Sequence, residues 1–132
     1  MSTVQLIGTT VPSVKFSLTE PKENVKYVLN PLIKLEIKQT PSNVFAKLLV
    51  SIVNAEDKPT PFEVELAVTG TFVLSGKVDV ESVRLYVSNT LYPFARTAVA
   101  DITLKAGIPP YYLPFINFGE AKKKEDEIKD GE

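Results

Sequence analysis

A chain of 132 residues, 44% hydrophobic and 23% charged, is long enough for one packed domain and too short to divide into two. Fifteen basic against sixteen acidic residues leave a formal charge of -1, so no overall field draws the chain to nucleic acid or to anionic lipid. The sequence has neither Cys nor His, which excludes disulfides and thiolate chemistry and removes the commonest metal ligand and general base; neither catalysis nor a cofactor is expected.

No stretch approaches the run of about 20 apolar residues that a membrane span needs, and no basic segment precedes an apolar one at Met1. Direct membrane insertion is therefore not expected, and the chain is read as cytoplasmic.

The first two-thirds of the chain has the period of a strand. Val14, Phe16 and Leu18 alternate with Ser13, Lys15 and Ser17, and Ile33, Leu35 and Ile37 alternate with Lys34, Glu36 and Lys38. Between them Glu20-Pro21-Lys22-Glu23-Asn24 has turn chemistry, and Asn30-Pro31 disfavours helix just before the second strand. From Val44 to Val53 both faces are apolar: Val44, Ala46, Leu48, Val50 and Ile52 on one side, Phe45, Leu49 and Val53 among the residues on the other. A polar turn with Pro59 and Pro61 follows, after which Phe62, Val64, Leu66 and Val68 alternate with Glu63, Glu65 and Ala67. Short connections between successive strands predict an antiparallel sheet, since parallel neighbours need a crossover of a dozen residues or more.

The period changes after Val80. Asn89 as cap and Pro93 in the first turn predict a helix from about Thr90 to Ala106, closed by Gly107 at C′ with Pro109 and Pro110 beyond. Leu91, Ala95, Ala98 and Ile102 form one stripe, and Tyr92, Val99 and Leu104 lie outside it. One sheet face does not cover both groups, so either an oligomer or a second covering segment is required. The segment from Gly107 to Phe118 holds three prolines, four aromatic and three aliphatic residues, too apolar for a solvated loop. It reads either as a loop packed on its own sheet or as the wall of a groove for apolar peptide. Residues 119–132 are dominated by Lys, Glu and Asp around Ile128 and read as a solvated tail.

Leu91-Tyr92-Pro93-Phe94-Ala95-Arg96, then Val99-Ala100-Asp101, Gly107, Pro109-Pro110, Leu113-Pro114 and Ile116-Asn117-Phe118 resemble the SecB family of protein-export chaperones in order and spacing. In that family a helix opens with a Phe/Tyr-Pro-aromatic-Ala-Arg motif, ends at a Gly and enters a Pro-rich crossover loop. The resemblance covers roughly Val4 to Phe118, so that 1–118 form the chaperone domain and 119–132 the tail. It implies an α+β fold, a four-stranded antiparallel sheet packed on one face by a long helix, assembled as a homotetramer (a dimer of dimers) with Tyr92, Ala95, Val99 and Ile102 at the oligomer interface. It implies an ATP-independent holdase for unfolded or precursor polypeptides, with Ile108, Tyr111, Tyr112, Leu113, Phe115, Ile116 and Phe118 meeting the client.

The chain departs from the family pattern twice. An amphipathic helix is usual after the Asn-Phe, whereas Gly119-Glu120-Ala121-Lys122 lead directly into the tail. The family also offers an acidic outer sheet face to the SecA motor. Here Glu63 and Glu65 match the fourth-strand part, Ser13 and Ser17 replace the first-strand acids, and Lys15, Lys34, Lys38 and Lys47 project onto the same face. Two further readings stand beside export: a SecB-like chaperone for a dedicated client such as an antitoxin, and a scaffold whose patch of Phe45, Leu49 and Val53 holds one folded partner.

Overall fold

The computed structural model describes residues 3–20, 27, 29–114, 116 and 118. Residues 21–26, which include 21–24 of the expected turn, Phe115 and the expected tail 119–132 lie outside the described residues.

In chain order the elements are β1 (Thr3–Leu18), β2 (Leu32–Gln39), β3 (Asn43–Ile52), β4 (Phe62–Ser75) and α1 (Val80–Lys105). The strands form one antiparallel sheet in the order β1-β4-β3-β2. Neighbours β2, β3 and β4 follow one another through short connections, while β1 crosses over to pair with β4, a Greek-key arrangement. The sheet is the one that alternation predicts, with α1 packed on a single face.

Strand β1 reaches further toward the N-terminus than period two reveals, because its register with β4 shifts between Leu6 and Gly8 and again between Thr10 and Ser13. Each bulge adds a residue and turns the following side chains to the other face. Pro12 falls in the second bulge of this edge strand, where its missing N–H removes no ladder bond. Ile7 and Val11 sit at the bulges and are exposed.

The inner face is built by cross-strand pairs. Val44, Ala46, Leu48, Val50 and Ile52 of β3 face Phe72, Gly70, Val68, Leu66 and Val64 of β4 in register, and their apolar side chains are buried. Burying each Val, Leu or Phe contributes about 1.5–3 kcal/mol. Across this floor α1 lays Val83, Val87, Leu91, Ala95, Val99 and Thr103, all buried and spaced by four. That spacing is the i±4n ridge of a helix, one of the two ridge types that pack into a neighbouring surface.

Gly70 lets the ridge come close. A Cβ built there would stand 2.7 Å from Leu91 Cδ2 and 3.0 Å from Phe72 Cε2, and both side chains are fully buried. Gly70→Ala is therefore expected to destabilise the fold by about 1–3 kcal/mol through overpacking. Urea denaturation checks this, with a lower midpoint at unchanged slope as the result.

The helix starts ten residues before the expected Thr90. Asp79 caps it, its carboxylate accepting from Ser82 N at 2.6 Å and from Ser82 Oγ at 3.0 Å. Pro93 thus lies in the helix interior, where Pro costs about 3 kcal/mol. Val83 and Val87, both completely buried, offset that cost by packing the turns ahead of it, and Asn89, whose carbonyl loses its helical donor, is on the exposed side. The C-terminal end is as expected: Gly107 takes φ +89, its N–H donates to Leu104 O at 3.1 Å, and Ile108 N donates to Thr103 O at 3.4 Å. These bonds make a Schellman motif.

Candidate functional site

The chain leaving Gly107 runs back along α1 and is fastened to it at three helix side chains. Thr103, fully buried, donates to Val99 O and Ala100 O, both at 2.9 Å, and accepts from Tyr111 N at 2.9 Å. Arg96 Nε donates to Leu113 O at 3.0 Å, and Tyr92 Oη donates to Pro114 O. The order 103, 96, 92 against 111, 113, 114 makes the loop antiparallel to the helix. Tyr92 and Arg96 belong to the Tyr-Pro-Phe-Ala-Arg run, so the motif's polar groups serve to hold loop carbonyls.

Fastened in this way, the loop's alternate positions separate. Leu113 is completely buried in the main core, whereas Tyr112 is 56% exposed with the Arg96 guanidinium carbon 5.3 Å from its ring centre. Tyr111 is half-buried, its ring 5.7 Å from that of Phe62, which in turn stacks on Phe16 at 5.6 Å. Ile108 packs at the same cluster, and Ile116 and Phe118 against the main core, with Phe118 edge-on to Tyr92 at 5.4 Å. Of the seven expected client residues, Leu113 is core, Tyr112 is open, Ile108, Tyr111, Ile116 and Phe118 are part-covered, and Phe115 lies outside the described residues. Phe16, Arg96 and Thr103 were not among the expected site residues. The polar Thr103 on the helix stripe of Val87, Leu91, Ala95 and Val99, and Arg96 one turn after Tyr92, are sequence signals for the two anchors; Phe16 has none beyond its strand alternation.

The same loop accounts for the helix surface that the sheet does not cover. Tyr92, Ala95 and Val99, expected at an oligomer interface, are buried within the single chain by the sheet and the crossover loop. Ile102 is half-buried, and the apolar side chains that α1 leaves exposed are Val80, Leu85, Tyr86, Phe94 and Leu104. On the inner face Ile33, Leu35 and Ile37 of edge strand β2 are only half-buried. A cleft of about 450 Å³ opens between Ile37 and the β2–β3 turn on one side and Val80 and Arg84 on the other.

Replacing Thr103 by Val keeps the shape and removes the anchor. The Tyr111 N–H would lose its acceptor, and the expected cost is about 1–3 kcal/mol. Hydrogen exchange checks it, with faster exchange at Tyr111 than at the sheet amides.

Burial, and then the neighbouring Tyr111, push the Tyr92 phenol above its ordinary 10.0, against an opposing pull from Arg96; burial pushes Tyr111 up as well. For groups whose folded pKa is raised, the stabilisation is fully present below pH 10 and is lost as pH rises through the raised values. Melting temperature should therefore fall above pH 10, and part of that fall should disappear in Tyr92→Phe.

On the outer sheet face, the two expected acids differ. Glu63 is half-buried, and its Oε1 accepts from Asn54 N at 3.0 Å while Asn54 Oδ1 accepts from Thr60 N at 2.8 Å, so Glu63 braces the β3–β4 connection. Glu65 is exposed, with Lys15 on β1 and Ser51 on β3 as register partners. Lys15, Lys34, Lys38 and Lys47 occupy this face, all exposed.

The family model described as preprotein translocase subunit SecB matches residues 10–126. The chain belongs to the SecB family. It is thus a member of a family of non-enzymatic protein-export chaperones. The protein-export protein SecB of Methylococcus capsulatus is 36% identical over 87 residues, which are 63% of this chain and 56% of that protein. SecB of Chromohalobacter salexigens is 28% identical over 123 residues, 88% of this chain and 73% of that one. The SecB fold is also seen in a SecB-like chaperone of Mycobacterium tuberculosis, solved in complex with an antitoxin peptide. It aligns at TM-score 0.71 and 14% identity, covering 86% of this chain and 90% of that one. Among the described residues no helix is long and apolar enough to cross a membrane.

Proposed function

We propose that this SecB-family chain is an ATP-independent holdase that keeps export clients unfolded in the cytoplasm. The observation that carries the reading is the crossover loop: it is fixed by Tyr92, Arg96 and Thr103, anchored by a buried Leu113, and presents Tyr112 outward beside part-covered Tyr111 and Ile108. A rigid loop loses little entropy on binding, and aromatic side chains supply large contact area at low rotamer cost. Recognition by burial gains about 25 cal/mol per Å² of apolar area whichever client residue supplies it, which suits many unrelated chains.

A homotetramer, as a dimer of dimers, belongs to the same proposal. What supports it is the open apolar set on α1, of which Val80 and Leu104 are 63% and 59% exposed, together with the half-covered inner face of β2. The interface is accordingly placed on these residues and on Ile102, with Tyr92, Ala95 and Val99 behind them. Suppression of aggregation of a chemically denatured client, with and without ATP, tests the holdase. Equal protection in both conditions is the expected result, and protection that requires ATP overturns it.

A second reading, a dedicated client such as an antitoxin, is favoured by the outer face. Glu63 is engaged with Asn54 and Glu65 stands opposite Lys15, which weakens docking of a basic motor segment from SecA at these positions. A pull-down that recovers one client in place of many precursors would select this reading over general export.

A further inference from the structure

Strand β3 shows two different faces. Its inner residues are closed off by α1, but on its outer side Phe45, and Val53 just past its end, are 47% and 58% exposed, with Leu49 half-buried between them. These side chains are four residues apart, roughly 13 Å along the strand, so they share one side of the sheet with Lys47 and Ser51 between them.

Lysines flank this line. Phe45 has Lys38 as its register partner on β2 and Lys47 two positions along its own strand; Leu49 has Lys34 on β2 and Ala67 on β4. Leu49 and Ala67 floor a cleft of about 520 Å³ whose walls include Lys15, Leu32, Lys34 and Glu65. The acids on this face do not neutralise it evenly. Glu36 lies 3.7 Å from Lys34, Glu63 accepts from the Asn54 amide, and Glu65 stands across from Lys15. Among the described residues Lys15, Lys38 and Lys47 make no ion pair. The end of the sheet around Phe45 thus carries Lys38 and Lys47 against Glu36, the register partner of Lys47, a net positive and partly apolar surface bordered on β4 by the neutral Thr69 and Thr71.

We propose that this outer face docks an extended polypeptide segment whose sheet-facing positions, every second residue, carry apolar side chains and carboxylates in turn. The apolar side chains rest on Phe45 and Leu49, and the carboxylates meet Lys38 and Lys47. Apolar side chains and carboxylates that take turns at every second ligand position match the order Phe45, Lys47, Leu49 on this side of β3, and exposed lysines favour association with acids while disfavouring a basic segment. The surface lies on the opposite side of the sheet from the crossover loop, so this interaction and the holdase reading stand or fall separately.

The probe is a fluorescein-labelled twelve-residue peptide repeating Leu-Ser-Glu-Ser (the Glu-Leu peptide), titrated into the full chain beside a Lys-Leu counterpart with Lys in place of each Glu. The Glu-Leu peptide should bind more tightly, and its affinity should fall as salt is raised toward 1 M, where the Debye length is about 3 Å. Lys38→Glu with Lys47→Glu should weaken it by about tenfold or more, while Tyr112→Ser leaves it unchanged. Phe45→Ser is the companion variant; since its side chain is half in solvent, thermal melting should show the fold retained. Equal binding of the two peptides, undiminished binding to the lysine double variant and to Phe45→Ser, or loss of binding on Tyr112→Ser in place of the outer-face variants would each overturn the proposal.

Discussion

Leu113→Ala is expected to lower stability by about 2–5 kcal/mol, the cost of truncating a fully buried Leu in a core. Leu113 is a loop residue, so a penalty of this size would be unusual for its position in the chain. It follows from the packing: the side chain is enclosed with Tyr92, Ala95 and Val99 in the same apolar cluster as the sheet floor. Its carbonyl is also held by Arg96 Nε. Cavity formation should loosen the loop as well as the core, so that both denaturation midpoint and client binding decline. Chemical denaturation followed by tryptophan-free probes, such as far-ultraviolet circular dichroism, gives the first, and a loss under 1 kcal/mol would show that Leu113 does not pack as described.

Tyr112→Ser, one position earlier, should do the reverse. The ring is more than half exposed and its described neighbour is the Arg96 guanidinium, a contact worth about 0.5–1 kcal/mol at an exposed site. Stability should therefore change little. Client affinity should fall by about tenfold or more, since an aromatic anchor at a binding surface carries on the order of 2 kcal/mol. Binding of a denatured client by fluorescence anisotropy, paired with a melting curve, separates the two effects. Loss of stability with affinity intact in the folded fraction would make Tyr112 a packing residue. The opposite signs of adjacent substitutions are what an extended loop with alternating sides requires.

Much of the fold was legible because period two is a direct record of one buried face. Ile33, Leu35 and Ile37, and Val44 to Ile52, have the inward orientation that their alternation predicts. Alternation failed on β1 where extra residues at Ile7 and near Pro12 reverse the facing, an effect that sets its register only against β4. The helix start was misplaced for a different reason. Pro93 suits a first turn, and its local preference argued against the longer helix, yet tertiary burial of Val83 and Val87 outweighs the cost of an interior Pro. Asp79 followed by Ser82 was a capping signal in the sequence that Pro93 overshadowed.

The site was legible in its location and less so in its parts. Apolar density from Gly107 to Phe118 marked the loop, but which side chains face inward depends on where Tyr92, Arg96 and Thr103 grip it, and that is a property of the packed helix. Tyr92, Ala95 and Val99 are covered within the single chain by the sheet and by the loop, a second cover that helix periodicity alone leaves open. Glu63 likewise matches the family's acidic face in sequence, while its carboxylate accepts from the Asn54 amide nine residues upstream, a contact that strand alternation does not reveal.

The most direct test of the central claim is site-specific photocrosslinking from position 112, with benzoylphenylalanine in place of the tyrosine and a chemically denatured client added without ATP. The holdase account predicts a crosslink to the unfolded client that disappears once the client has folded, while the same group placed at exposed Glu56 gives none. Undiminished suppression of client aggregation with no crosslink from position 112 would contradict it.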